Sequence, residues 1–248
     1  MRRFFTEPQN IKDGIAEIFE DAKHIEKVLR MSCGDEVVVF DGTGFEYLAR
    51  LASIEKGVCR AEILEKNLSL SEPKTQITLY QGLPKSGKME LIVQKAVELG
   101  VARIVPVAMD RCVVKINSKS AGEEKAARWN KVSVEAAKQC GRGKVPVVEA
   151  PVDFKTAIAQ LSGMQLSIMP YEMLGHDGQM GLKKLLAENR DAVNIGILVG
   201  PEGGFSEEEA AFAAANGINA VGLGKRILRT ETVASAMIPV IMFDRDEF

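Results

Sequence analysis

The sequence predicts an α/β protein: a mostly parallel sheet with helices on both faces, preceded by a small β-rich domain. Three observations predict it. From Lys74 onward, short apolar runs alternate with segments of helical periodicity, the pattern that packs helices on both sides of a sheet. Before that point, strand-like runs follow one another across glycine-containing turns. Near the C-terminus lie two glycine-rich turns, residues 195–206 (IGILVGPEGGFS) and 221–232 (VGLGKRILRTET), each leaving an apolar run and leading toward a helical pattern. Ligands bind at the carboxyl ends of strands in a parallel sheet, and two such turns this close in sequence suggest one pocket.

Residues 1–72 form the first domain. Ala22, Ile25, Val28 and Leu29 recur at helical spacing over 21–31. Residues 35–40 read as a strand closed by Asp41-Gly42-Thr43-Gly44, whose glycines readily take positive φ. Further strands follow at 45–54 and 58–64, split by Glu55-Lys56-Gly57, and the polar stretch 67–73, closed by Pro73, is the linker. In the second domain, 73–248, strands are expected at 76–81, 103–107, 145–148, 166–169, 195–199 and 220–223. Helices are expected at 88–99 (stopped by Gly100), 122–139, 156–161, 182–189, 207–216 and 232–243. Ser206 and Glu209 have the spacing of a capping box, so a helix starts there, and Gly217 stands where a left-handed residue ends it. The first turn thus offers backbone N–H groups beside a positive helix end, which suits an anion or a polar ligand edge.

With 248 residues and 46% hydrophobic content the chain can bury one large core or two modest ones. Its net charge of −2 makes no general polyanion binder, but residues 1–72 carry −4, 73–150 carry +7 and 151–248 carry −5. A basic middle fits a local polyanion-binding face as well as solvated helix surfaces. The four cysteines form no Cys-x-x-Cys pair, and with only His24 and His176 there is no zinc-ligand spacing, so no metal is expected. Free thiols, an N-terminus without the apolar stretch of a signal peptide, and no run near the roughly 18 apolar residues of a membrane span point to the cytoplasm.

Several motifs fail on inspection. Gly82-Leu83-Pro84-Lys85-Ser86-Gly87-Lys88-Met89 has the spacing of a phosphate-binding P-loop, but Met89 cannot hold Mg²⁺ where Ser or Thr is required, and Pro84 removes a backbone donor. Neither C-terminal turn has Gly-x-Gly-x-x-Gly spacing, and two histidines make triad chemistry a poor fit. His176 reads as a polar loop residue; for His24 a structural place and an RNA contact are both open. Arg226, Arg229, Thr230 and Glu231 crowd the second turn. Arg229 and Glu231 could pair with Glu202 and one another, or serve a site.

At these turns the chain resembles a known family. Gly200-Pro201-Glu202-Gly203-Gly204-Phe205-Ser206-Glu207-Glu208-Glu209 and Leu223-Gly224-Lys225-Arg226-Ile227-Leu228-Arg229-Thr230-Glu231-Thr232 closely resemble the two signature segments of the RsmE family. These are bacterial 16S ribosomal RNA uridine-N3 methyltransferases of the SPOUT superfamily. Arg2-Arg3-Phe4-Phe5 is similar to the family's start, and His24 with Leu29-Arg30 and Gly34-Asp35 to its next block. Gln94-Lys95-Ala96-Val97-Glu98-Leu99-Gly100 and Glu135-Ala136-Ala137-Lys138-Gln139-Cys140-Gly141-Arg142 resemble its middle motifs.

The resemblance implies an N-terminal PUA-like β-barrel for RNA, a C-terminal SPOUT domain with a deep trefoil knot, S-adenosylmethionine bound by the knotted loops, a homodimer, and 16S rRNA within the 30S subunit as partner. The cofactor pocket would comprise Met169, Pro170, Tyr171 and Glu172; Leu198, Val199, Gly200, Pro201, Glu202 and Gly203; and Leu223, Gly224, Ile227, Leu228, Arg229 and Thr230. Arg2, Arg3, His24, Arg30, Lys85, Lys88 and Arg142 are the candidate RNA contacts, the loop lysines serving phosphates in the basic segment. Arg229 is the candidate for stabilising charge on the uridine O2 or O4, with Glu202 or Glu231 orienting it or taking the N3 proton. A non-catalytic RNA-binding paralogue is the alternative, a P-loop-like NTPase the remote one.

Overall fold

A computed structural model describes residues 1–85, 87–172 and 181–248; Ser86 and His176 lie outside the described residues. The chain divides into two compact units, Met1–Glu72 with Val134–Val145, and Pro73–Ser133 with Pro146–Phe248.

The first unit is a six-stranded sheet of β1 (Arg2–Phe5), β2 (Ile11–Lys12), β3 (Ile15–Ile18), β4 (Glu36–Phe40), β5 (Phe45–Glu55) and β6 (Val58–Leu68), in the order β1-β4-β5-β6-β3-β2. Only β1 and β4 are parallel. Alternate residues point inward, as Tyr47, Ala49 and Leu51 of β5 do, and with Phe4, Ile18, Val37 and Val39 they form the core. The two ends of the sheet approach where the Thr6 hydroxyl donates to the Glu17 carbonyl. Asp41, closing β4, accepts from the Thr43 amide at 2.8 Å and the Tyr47 hydroxyl at 2.9 Å; burial first, and Asp41 second, push the Tyr47 phenol up to about 12.

The expected helix over 21–31 is instead one π-helical turn, His24–Val28, ending at Arg30 with φ 51°. Ala22 and Ile25 are buried but Val28 is 67% exposed, so the apolar spacing does not make a single buried face. Strands β1 to β3 were not expected. The signal for β2–β3 stands in the sequence, since Asp13 and Gly14 both adopt positive φ in the two-residue turn between them.

The second unit is a parallel sheet flanked by helices, with β7 (Gln76–Gly82), α1 (Lys88–Glu98), β8 (Arg103–Ala108), α2 (Lys119–Cys140, whose last residues belong to the first unit), β9 (Val147–Val148) and β10 (Val152–Asp153). It continues with α3 (Phe154–Leu161), β11 (Leu166–Pro170), α4 (Leu182–Glu188), β12 (Asn194–Val199), α5 (Glu207–Ala215), β13 (Asn219–Val221) and α6 (Thr230–Asp244). The order is β10-β8-β7-β12-β11-β13, with β9 also on β8, and every pairing among the described residues is parallel. β7 and β12 are buried along nearly their whole length, as strands covered on both faces must be. Because β11 lies between β12 and β13, the two glycine turns emerge on either side of its carboxyl end. The last helix starts at Thr230, two residues before the expected position. No helix among the described residues is long and apolar enough to cross a membrane.

Candidate active site

The first turn is fixed by backbone and by absent side chains. The Gly204 amide donates to the Pro201 carbonyl at 2.9 Å, with Gly204 at φ 70°. A Cβ on Gly82 would stand 2.7 Å from the Pro201 nitrogen and Cδ, so only glycine lets the end of β7 approach the turn. Ser206 and Glu209 form the expected capping box, and Gly217 follows α5 at φ 80°. The second turn is joined to the first by Thr230, whose hydroxyl donates to the Gly200 carbonyl at 2.7 Å and accepts from the Gln81 amide at 2.8 Å. The Tyr171 amide donates to the Val221 carbonyl at 2.9 Å, and its ring meets Phe205 edge-on at 6.2 Å.

These segments enclose a cavity of about 410 Å³, the size of a small-molecule site. Residues 170–172, 199–202 and 223–230 line it, which includes most of the expected cofactor contacts. Met169 and Leu198 do not; at 1% and 0% exposure they face the sheet core, as strand-interior residues do. Gly203 also lies off the cavity, packed on Arg111, which donates to its carbonyl at 3.1 Å. Gly204, Lys225 and Arg226, within the loops expected to form the pocket, also line it, whereas sequence reasoning missed Phe205, Val233 and the place of Lys88. Phe205 was the legible one, a large aromatic directly after the glycines; Val233 follows from the early start of α6.

Lys88, the first residue of α1, is paired with Glu202 at 3.2 Å and Glu231 at 3.1 Å. Expected as an RNA phosphate contact, it shares its charge with two carboxylates. Glu202 also accepts from the Lys85 amide at 3.2 Å. A carboxylate of the chain itself thus takes one backbone donor and the terminal lysine of the loop that resembles a P-loop. Burial would push the Glu202 carboxyl up, but its own amide, Lys88 and the Lys85 amide outweigh it and hold the group below its ordinary value. Glu231 is lowered against burial in the same way by its own amide and Lys88, with a smaller pull from Arg229. Glu231, then Glu202, hold the Lys88 ammonium above its ordinary value.

Two observations bear on the candidate roles of these glutamates. Neither pairs with Arg229, whose guanidinium lines the cavity and makes no hydrogen bond or ion pair among the described residues, while its carbonyl accepts from the Thr232 and Val233 amides. Carboxylates held below their ordinary values are also weaker bases than usual, which counts against either taking a proton.

Of the candidate RNA contacts, Arg2, His24, Arg30 and Lys85 are exposed. Arg3 is half-buried, paired with Glu46 at 3.0 Å and lying over the Phe40 ring. Arg142 is buried against Glu72, so it is part of the interior and not of an RNA-facing surface. The four cysteines form no disulfide, and no group of three or more metal-ligating side chains occurs among the described residues.

Comparison with known proteins bears on this site. The RNA methyltransferase domain family matches residues 71–242 and the RNA methyltransferase PUA domain family residues 20–64. The chain is 30% identical over 251 residues to ribosomal RNA small subunit methyltransferase E of Bacillus subtilis, spanning 99% of this chain and 98% of that one. The solved structure of ribosomal RNA small subunit methyltransferase E from Neisseria gonorrhoeae, bound to S-adenosyl methionine, matches with TM-score 0.83 at 33% identity over 98% of this chain and 97% of that one. A Legionella pneumophila protein solved with bound SAM matches with TM-score 0.84 at 28% identity, covering 97% and 96%. The domain match takes in both glycine turns and the strands that present them, and the identity runs the length of both chains: this chain belongs to the ribosomal RNA small subunit methyltransferase E (RsmE) family.

Proposed function

We propose that the cavity binds S-adenosylmethionine and that the chain methylates N3 of one uridine of 16S rRNA in the small ribosomal subunit. The observation that carries this reading is the meeting of the two signature turns around one cavity, with the Arg229 guanidinium on its lining and in no ion pair among the described residues. The cavity suits such a ligand. Main-chain groups of 199–202 and 223–228 are presented without intervening side chains at the glycines, and Leu223, Ile227, Leu228 and Phe205 supply apolar walls. When bound, the cofactor supplies an electrophilic methyl group that needs no metal for activation.

The protein's own part is positioning and charge. N3 lies on the Watson–Crick edge, so the uridine must be unpaired or flipped out to be reached. Arg229 stabilises the negative charge that spreads onto O2 and O4 as the imide proton leaves. Residues 1–72 act as the PUA-like RNA-binding domain, with Arg2, His24 and Arg30 on its exposed surface, and 73–248 as the methyltransferase domain. The parallel order β12-β11-β13 is compatible with a trefoil knot, and we include the knot, a homodimer and a cytoplasmic location in the same reading.

Incubation with undermethylated 30S particles and, separately, with free 16S rRNA, followed by nucleoside mass spectrometry, tests it. N3-methyluridine dependent on S-adenosylmethionine is the expected result. Calorimetric binding of S-adenosylmethionine without any methylated uridine would replace the enzyme by a non-catalytic RNA-binding paralogue.

A further inference from the structure

Lys88 stands apart from the other cations of the pocket. Lys225, Arg226 and Arg229 all come from the second turn, whereas Lys88 comes from α1 and is paired with two carboxylates: Glu202 of the first turn, on the cavity lining, and Glu231 in the first turn of α6. Two carboxylates converging on one ammonium would repel each other without it, and the nearest remedy would be another cation. Arg229, two residues before Glu231, is close enough to influence that carboxyl, yet it makes no ion pair among the described residues. The glutamates are already occupied.

We propose that Lys88 is a positioning residue for methyl transfer, which by neutralising Glu202 and Glu231 keeps the Arg229 guanidinium out of an ion pair and available to the substrate base. Without Lys88, Arg229 folds back onto Glu231. Its charge is then spent inside the protein, and its donors no longer point where negative charge develops. The role in turnover rests on the proposed methyl transfer; the effect on Arg229 itself does not.

The test compares wild type, Lys88→Met and Lys88→Met/Glu231→Gln, each first checked for native circular dichroism. Two quantities are read: the kcat and KM of RNA methylation, and the rate at which phenylglyoxal modifies Arg229, located by peptide mass spectrometry. In Lys88→Met, kcat falls by about 100-fold, the cost of a misplaced catalytic group, the KM for S-adenosylmethionine changes much less, and Arg229 becomes slow to modify. In the double variant, which removes the carboxylate that captures the arginine, both Arg229 reactivity and most of kcat return. Relief of the repulsion between Glu202 and Glu231 alone would restore stability without changing the rate at which Arg229 is modified, so the modification rate separates the two effects. Equal Arg229 reactivity in wild type and Lys88→Met, or a double variant no more active than the single one, overturns the proposal. If wild type itself transfers no methyl group, the functional reading fails, and the modification rates still decide whether Lys88 keeps Arg229 free.

Discussion

The Arg142 guanidinium and the Glu72 carboxylate meet at 2.8 Å inside the N-terminal unit, with only 6% and 11% of their side chains exposed. The same carboxylate accepts from the Gly143 and Lys144 amides, each at 2.9 Å. One acidic group at the end of the β domain thereby holds the turn that follows α2. Glu72→Ala removes this carboxylate's bonds to the buried Arg142 guanidinium and to two backbone donors, so urea unfolding should show a loss of about 3 kcal/mol. A loss below about 0.5 kcal/mol would match an exposed pair instead.

Gly82 belongs to neither signature turn, yet Pro201 sits where its Cβ would be. Gly82→Ala should force the first turn away from β7, weaken S-adenosylmethionine binding at least tenfold by calorimetry, and cost about 1–3 kcal/mol of stability. Gly14, where a Cβ would meet nothing within 4 Å but φ is 77°, provides the contrast: Gly14→Ala should cost stability through backbone strain without touching binding.

Arg229→Ala should retain S-adenosylmethionine binding and the thermal midpoint while methyl transfer falls by about 10²–10³-fold, as when an anion-stabilising donor is removed. Single-turnover kinetics with saturating cofactor checks this; undiminished turnover would remove Arg229 from the reaction.

The charge cluster makes stability depend on pH with a defined sign. Glu202 and Glu231 are lowered in the folded chain, so their contribution is present above the ordinary glutamate range and disappears as pH falls through the folded values. Lys88 is raised, so its contribution is present below the ordinary lysine range and disappears as pH rises through the folded value. The stability difference between wild type and Lys88→Met should accordingly be greatest from about pH 5 to about pH 9 and shrink on both sides. Urea midpoints from about pH 3 to about pH 11 measure it; a difference that stays constant down to about pH 3 would reflect packing and not charge.

Local signals carried much of this structure in the sequence. The strand-to-glycine breaks, the Ser206–Glu209 box and the stops at Gly100 and Gly217 are short-range devices, and the elements they bound appear within a residue or two. Strands β1 to β3 are short, and their pairing depends on partners such as β4 and β6 that arrive later in the chain. The site divides the same way. Which turns form the cavity was legible, but a strand-interior residue such as Leu198 could not be told from the lining residue Val199 beside it without knowing which way the pleat faces. The pairing of Lys88 with Glu231, and the burial of Arg142 on Glu72, join residues with no sequence signal in common.

Those long reaches have a kinetic meaning. Lys85 meets Glu202 across 117 residues, Lys88 meets Glu231 across 143, and Gln81 meets Thr230 across 149, whereas Asp41 and Tyr47 of the N-terminal unit are six apart. Closing such loops costs chain entropy before any contact rewards it, so distant pairings form slowly and together. Competence to bind is a late acquisition of each molecule, and in refolding the recovery of S-adenosylmethionine binding should trail the return of helix and sheet.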